Sequence, residues 1–352
     1  MASWPMDHQL EVISSLRITP LDDDDEGQDE VEEIEIDEDD EEEEEEEEEG
    51  VTLGFVEKPK NPRCLLRHLF PSKAGGVAAW LDPVDLPPES ARTCGFCGDP
   101  LQFFLQIYAP ISEKESTFHR TLFVFMCPSM ACLLRDQHEQ WKHGVDKPHR
   151  SVKVFRCQLP RSNPFYSSEP PKYDGTDKPL STGVACRSLW REYEIAIEEE
   201  STYESTISED NGCGTSIVPA NNKKDETFQS VLNKFEANAD KKKWASFQEL
   251  IARAPEQVLR YCRDLTAKPL WPLLIGRPSK EDIPKCNYCK GPLCYEFQIM
   301  PQLLYYFDVK NEPDSLDWAT IVVFTCLNSC EASLAYKEEF AWVQLYPSTG
   351  TL

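Results

Sequence analysis

Two stretches decide the fold: Cys94-Gly-Phe-Cys97-Gly-Asp-Pro-Leu-Gln-Phe-Phe-Leu-Gln-Ile107 and Cys286-Asn-Tyr-Cys289-Lys-Gly-Pro-Leu-Cys-Tyr-Glu-Phe-Gln-Ile299. Cysteine, aromatic, cysteine, Pro-Leu and Phe/Leu-Gln-Ile recur in register. Each stretch is followed by a turn-rich segment and a second apolar run that ends in two cysteines. These runs are Thr121–Met126 with Cys127 and Cys132, and Thr320–Thr325 with Cys326 and Cys330. Trp80 precedes Cys94 by 14 residues, and Trp271 precedes Cys286 by 15. So many matched positions point to an internal duplication.

The spacing has a geometric meaning. A CxxC pair opening a strand forms a knuckle with both sulfurs pointing one way. The strands Leu101–Tyr108 and Leu293–Met300 run away from their knuckles, and Thr121–Met126 and Thr320–Thr325 return antiparallel. The second cysteine pair then arrives beside the first. Four thiolates at a hairpin base suit a closed tetrahedral zinc site with Zn–S near ~2.3 Å. The predicted ligands are Cys94, Cys97, Cys127 and Cys132, then Cys286, Cys289, Cys326 and Cys330. The alternative is eight buried or redox thiols. A thioredoxin-like role fits less well, because that motif opens a helix and these pairs precede strands. Cys64, Cys157, Cys186, Cys213, Cys262 and Cys294 lack paired spacing and read as small buried hydrophobes.

The remainder of the 352-residue chain bounds the function. Its 63 acidic and 36 basic side chains give a net charge of −27, of which Asp22–Glu49 supplies 23 acids in 28 residues. Without that tract, 40 acids stand against 36 bases. This sign does not suit neutralisation of duplex phosphates, and a basic protein is the natural electrostatic counterpart. The tract reads either as a solubilising bristle or as a nucleic-acid mimic that shields a client's basic segments. The first residues lack the basic and apolar regions of a secretory signal. The apolar runs fall far short of the roughly 20 residues that span a bilayer. Fourteen cysteines without such a signal suggest a reducing compartment, where paired cysteines mean metal more often than disulfide.

Residues 1–50 cannot form a core and read as a disordered acidic tail. Within them Leu10, Ile13, Leu16 and Ile18 match a leucine-rich nuclear export signal, or else a weakly sticky disordered segment. Residues 51–171 read as an N-terminal β-rich unit. Residues 172–222 turn polar and read as a flexible linker, with Leu189–Ile197 able to pair as a short strand. Residues 223–352 read as a helical plus β-rich unit. There Phe228, Val231, Leu232 and Phe235 share one helical face, as do Phe247, Leu250 and Ile251. Pro255 is placed to start a further helix through Val258, Leu259 and Cys262. The expected fold is therefore α+β: two pseudo-equivalent β-rich units, each with a four-cysteine zinc-knuckle hairpin, and helices around 223–264. Because a hairpin alone is marginal in water, the units are expected to share a core.

No catalytic constellation stands out. The six histidines (His8, His68, His119, His138, His143, His149) form no metal array, and phosphate-binding glycine loops and nucleophile elbows are absent. Arg135–His143 reads as an amphipathic helix surface. The chain is expected not to be an enzyme. A sheet edge or a cleft between units is expected to hold a client segment, with Phe165, Tyr166, Tyr305 and Tyr306 as candidate lining residues.

Several segments together resemble a known family. Val51–Trp80, the first cysteine unit and Val154–Pro171 (VFRCQLPRSNPFYSSEPP) resemble the N-terminal half of the programmed cell death protein 2 family. Pro255–Tyr261, the second cysteine unit with Phe297–Leu304, and Asp317–Cys330 resemble its C-terminal half. The resemblance covers roughly residues 51–171 and 225–345. The MYND zinc finger of the founding member is absent, since residues 172–222 hold only Cys186 and Cys213 and no histidine. The chain thus resembles the MYND-less branch, the programmed cell death protein 2-like and Tsr-four-type ribosome biogenesis factors. The acidic, export-like N-terminal tail departs from the pattern. The resemblance implies a dedicated chaperone for a small-subunit ribosomal protein of the S-five family (S-two in eukaryotes). It also implies a role in 40S subunit assembly and export with the pre-40S particle and an exportin, in a cytoplasmic protein that shuttles through the nucleus. A nuclear transcription or cell-death scaffold remains the alternative, and a zinc or thiol enzyme the third reading.

Overall fold

Apolar runs as continuous as Thr121–Met126 and Thr320–Thr325 are stable as strands only when both faces are covered. The computed structural model, which describes residues 50–142, 149–167, 188–204, 238–310, 312 and 314–346, shows how this is done. Ten strands form: β1 (Thr52–Glu57), β2 (Lys73–Ala74), β3 (Gln102–Tyr108), β4 (His119–Met126), β5 (Val152–Leu159), β6 (Tyr193–Glu199), β7 (Gln257–Tyr261), β8 (Leu293–Ile299), β9 (Thr320–Cys326) and β10 (Tyr336–Gln344). They close into an antiparallel barrel in the order β1-β6-β2-β3-β4-β5-β10-β9-β8-β7. The protein is thus mostly β-barrel with few helices, which narrows the α+β expectation.

Side-chain alternation explains the layers. Leu122, Val124 and Met126 of β4 join Leu105, Ile107, Phe297, Ile299, Ile321 and Val323 in the central core. Phe123 and Phe125 point the other way, where Trp80 lies 5.0 and 5.5 Å from their rings. On the other hairpin Val322 and Phe324 face outward and pack with Trp271, Tyr295 and Trp342. Each large side chain so buried contributes about 1.5–3 kcal/mol. Two glutamines fix the covering loops in the same way. Gln106 Oε1 accepts from Ala79 N at 2.8 Å, and Gln298 Oε1 accepts from Leu270 N at 2.7 Å. In each case the next residue is the covering tryptophan.

The hairpin β3–β4 carries a bulge between Phe103 and Leu105, and β8–β9 one between Tyr295 and Phe297. The extra residues, Phe104 and Glu296, are both fully buried. Closure depends on pairings distant in sequence: β5 with β10 at one seam, and β1 with both β6 and β7 at the other. Gly54 is required at that second seam. A Cβ there would lie 2.8 Å from Leu259 Cβ and 2.9 Å from Ile195 Cγ2.

Several expectations change. Pro255 starts no helix: Gln257–Tyr261 is β7, held by ladders on both edges. Helix propensities differ by only a few tenths of a kcal/mol per residue, so two-sided pairing with buried Val258 and Leu259 prevails. A helix does occupy Asn238–Arg253, with Phe247 buried; Phe228, Val231, Leu232 and Phe235 lie outside the described residues. The Leu189–Ile197 run does pair, as β6, and it completes the ring. Every strand has a neighbour on each side in the ring, but β2 pairs over only two residues on each edge, and β10 pairs with β5 over Tyr336–Glu339 and with β9 over Phe340–Gln344. Among the described residues, no helix is long and apolar enough to cross a membrane.

Candidate metal centres

Each CxxC turn is shaped by its own backbone. Gly98 N donates to Cys94 O at 3.0 Å and Cys94 N to Asp99 O at 2.8 Å. In the second knuckle Lys290 N donates to Cys286 O and Cys286 N to Gly291 O, both at 2.9 Å. The residue after each pair takes a left-handed conformation, Gly98 at φ 78° and Lys290 at φ 60°. Glycine adopts this freely and lysine does not. Peptide N–H groups point at the sulfurs: Phe96 N lies 3.5 Å from Cys94 Sγ, and Gly291 N lies 3.4 Å from Cys289 Sγ.

The returning strands β4 and β9 deliver the second pairs. Cys127 follows β4, and Cys132 sits on the first turn of helix α1 (Met130–Trp141). Cys326 ends β9, and Cys330 closes a short loop in which Ser329 has φ 40°. The eight predicted cysteines thus form two groups, each with its four sulfurs within 4.8 Å of one another. Among the described residues no other histidine, cysteine or carboxylate group of three or more is so arranged. Sulfur pairs lie 3.8 Å apart for Cys97–Cys127, 3.7 Å for Cys286–Cys330 and 3.6 Å for Cys289–Cys326. A tetrahedron with metal–sulfur bonds of about 2.3 Å has edges of about 3.8 Å. A disulfide would need about 2.05 Å. Donor type, number and spacing are compatible with zinc.

Electrostatics point the same way. Burial would raise the Cys94 thiol, but the N–H groups of Cys97 and Phe96 outweigh it and lower its pKa. Cys289 is lowered by the Gly291 N–H. Their neighbours are pushed up, Cys97 to about 11 and Cys330 to about 12, by burial first and then by the adjacent thiols. Four negative charges cannot share so small a volume alone; a divalent cation inverts this preference.

The surroundings of the centres differ from expectation in one respect. Arg135–Trp141 is helical, but Asp136 is buried rather than on the surface. It accepts from Ser151 N at 2.5 Å and Ser151 Oγ at 2.8 Å, tying α1 to the start of β5. Sequence reading also missed two buried ion pairs. Arg120 and Glu296, both 0% exposed, meet in two parallel bonds of 2.5 and 2.7 Å, with Thr325 and Tyr261 hydroxyls also on the carboxylate. Burial opposes the Glu296 charge, but the Arg120 guanidinium overcomes it and holds the carboxyl below its ordinary value. Arg156 pairs with Glu339 at 2.6 Å across the β5–β10 seam. A lone charge within an apolar strand run, as in Tyr295-Glu296-Phe297, was the available signal.

Other candidates divide. Cys157 and Cys262 are buried, Cys64 and Cys294 half-buried, and Cys186 and Cys213 lie outside the described residues. Phe165 and Tyr166 are half-buried, and Tyr166 Oη donates to Leu81 O at 2.6 Å. Tyr306 packs on Tyr193, whereas Tyr305 is 80% exposed. Leu10, Ile13, Leu16, Ile18 and the Asp22–Glu49 tract lie outside the described residues.

Comparison with known proteins gives a consistent family. Residues 50–173 match the model of the programmed cell death protein 2 N-terminal domain, and residues 241–345 that of its C-terminal putative domain. The chain is 32% identical to programmed cell death protein 2 of Rattus norvegicus over 84% of this chain and 96% of the rat protein. It is 25% identical to programmed cell death protein 2-like of Mus musculus, over 74% of this chain and 85% of that protein. A Schizosaccharomyces pombe protein named "Probable 20S rRNA accumulation protein 4" is 30% identical, over 82% of this chain and 72% of its own length. No solved structure matches. The chain belongs to the programmed cell death protein 2 family. Identity is higher to the rat protein than to the mouse -like protein, so overall identity does not set the chain apart with the -like branch.

Proposed function

We propose that this member of the programmed cell death protein 2 family is a binding protein of small ribosomal subunit assembly, acting without catalysis. The observation that carries this reading is its similarity to the fission yeast protein named for 20S rRNA accumulation, along most of both chains. In detail, the protein is a dedicated chaperone for a basic small-subunit ribosomal protein of the S-five family. It also accompanies the pre-40S particle, working in the cytoplasm and passing through the nucleus with an exportin. The net charge of −27 supports a basic client. Each four-cysteine group holds one structural zinc ion, closed by four thiolates with no position left for a substrate. The two hairpins descend from an internal duplication, a reading supported by their matched knuckle bonds, bulges and glutamine anchors.

The test is affinity purification of the tagged protein from growing cells, with mass spectrometry of partners and sequencing of associated transcripts. One basic small-subunit ribosomal protein near stoichiometry, together with its own transcript, is the expected result. Chromatin or signalling proteins without ribosomal ones would instead support the scaffold reading, which the name of the mammalian relatives favours.

A further inference from the structure

The two cysteine centres are alike in their ligands and differ in what holds them. In the loop Cys326-Leu-Asn-Ser-Cys330, each of the five successive carbonyls accepts a side-chain donor. Arg263 Nη2 reaches Cys326 O at 3.4 Å and Leu327 O at 2.6 Å. Lys114 Nζ reaches Asn328 O at 3.1 Å and Ser329 O at 3.2 Å. Gln158 Nε2 reaches Ser329 O at 3.1 Å, and Arg156 Nη1 reaches Cys330 O at 3.3 Å. Lys114, Gln158 and Arg156 all come from the other cysteine unit. Arg156 also pairs with Glu339, whose second oxygen accepts from Cys326 N at 3.0 Å. A chain of polar contacts therefore runs from β5, across the seam, to a ligand of the second centre.

The first centre takes its polar contacts from its own unit, and its cysteines share an apolar cluster with Phe155 and Cys157 of β5 and Tyr336 of β10. Gly95 N donates to Arg150 O, Cys127 N donates to Ser151 O, and Asp136 binds Arg150 and Ser151. Two nearby contacts do reach β10, Arg150 over the Phe340 ring and Gln140 with the Val343 backbone. Neither involves residues 94–97 or 127–132.

We propose that the second centre is a latch: with a metal bound, the 326–330 loop presents its carbonyls to Lys114, Gln158 and Arg156 and fastens the β5–β10 seam by polar contacts, whereas the polar contacts of the first centre hold its own hairpin and the start of β5. Two backbone bonds, Ser329 N to Cys326 O at 2.8 Å and Leu327 N to Pro292 O at 3.1 Å, help to shape the loop, and metal–thiolate bonds would add the restraint that offsets the positive φ of Ser329. Loss of metal at Cys286, Cys289, Cys326 and Cys330 then loosens both halves at their junction. The inference rests on the zinc reading above.

The experiment uses the full chain and compares Cys289→Ser with Cys97→Ser, the exposed ligand of each centre. Metal content is read by native mass spectrometry and backbone opening by hydrogen–deuterium exchange. Both variants should lose one metal. Exchange in Tyr336–Glu339, the part of β10 that pairs with β5, should rise about tenfold in Cys289→Ser and less than about twofold in Cys97→Ser. A third chain, Lys114→Ala with Gln158→Ala, touches no ligand; it should keep two metals and still open the seam. Equal seam exchange in the two cysteine variants, or an unchanged seam in the third chain, overturns the latch. A wild-type chain without metal overturns the zinc reading, and the latch with it.

Discussion

Replacing Glu296 with Gln keeps the side-chain volume and removes one charge from the centre of the barrel. Arg120, 0% exposed, then keeps its guanidinium charge with no carboxylate bonded to it, Glu339 acting on it only from further off. Breaking a buried pair in this way costs about 3–5 kcal/mol, because the remaining charge stays desolvated. At about 2–4 °C per kcal/mol for a chain of this size, the melting temperature should fall by about 6–20 °C. The pair is not demanded by backbone geometry, since the corresponding bulge of the first hairpin holds an apolar Phe104. Arg120→Met with Glu296→Leu should therefore recover most of the loss. Thermal and urea unfolding, with zinc in slight excess, measures both. A single variant within about 1 kcal/mol of wild type, or a double variant no better than the single, would mean that the unpaired Arg120 charge is not what destabilises the barrel.

Three further outcomes follow from particular residues. Gly54→Ala should destabilise the fold by about 1–3 kcal/mol in urea unfolding, because its methyl group overlaps Leu259 and Ile195. Lys290→Gly should stabilise by about 0.5 kcal/mol, the relief of a left-handed lysine exceeding the added unfolded-state entropy. The Glu296 carboxyl is depressed below its ordinary value of 4.5, so its stabilisation is complete above that pH and is lost as pH falls through the folded-state value. Urea midpoints should therefore fall more steeply below pH 4.5 in wild type than in the Arg120→Met, Glu296→Leu chain.

Much of the architecture was legible in local sequence. The CxxC–strand–turn–strand–cysteine order dictates where the four sulfurs of each group converge, and the structure brings all eight together. Trp80 and Trp271, marked by their distance from the first cysteine, cover the outer faces of their hairpins. Barrel closure was not legible, because it joins β1 to β6 and β7, about 140 to 210 residues away. Gln-Val-Leu-Arg-Tyr is too short for periodicity to separate strand from helix, and its two-sided pairing decides the matter. Arg120–Glu296 and Arg156–Glu339 escape a linear reading because each charge looks unpaired until the closed barrel brings strands of different halves together, β4 with β8 and β5 with its neighbour β10.

Zinc stoichiometry combined with X-ray absorption at the zinc edge tests directly the proposal that each four-cysteine group closes around one zinc ion. Two zinc ions per chain, each with four sulfur neighbours near ~2.3 Å and no oxygen or nitrogen ligand, is the predicted result. Fewer than two ions, a bound water, or disulfides among Cys94, Cys97, Cys127 and Cys132 or among Cys286, Cys289, Cys326 and Cys330 would contradict it.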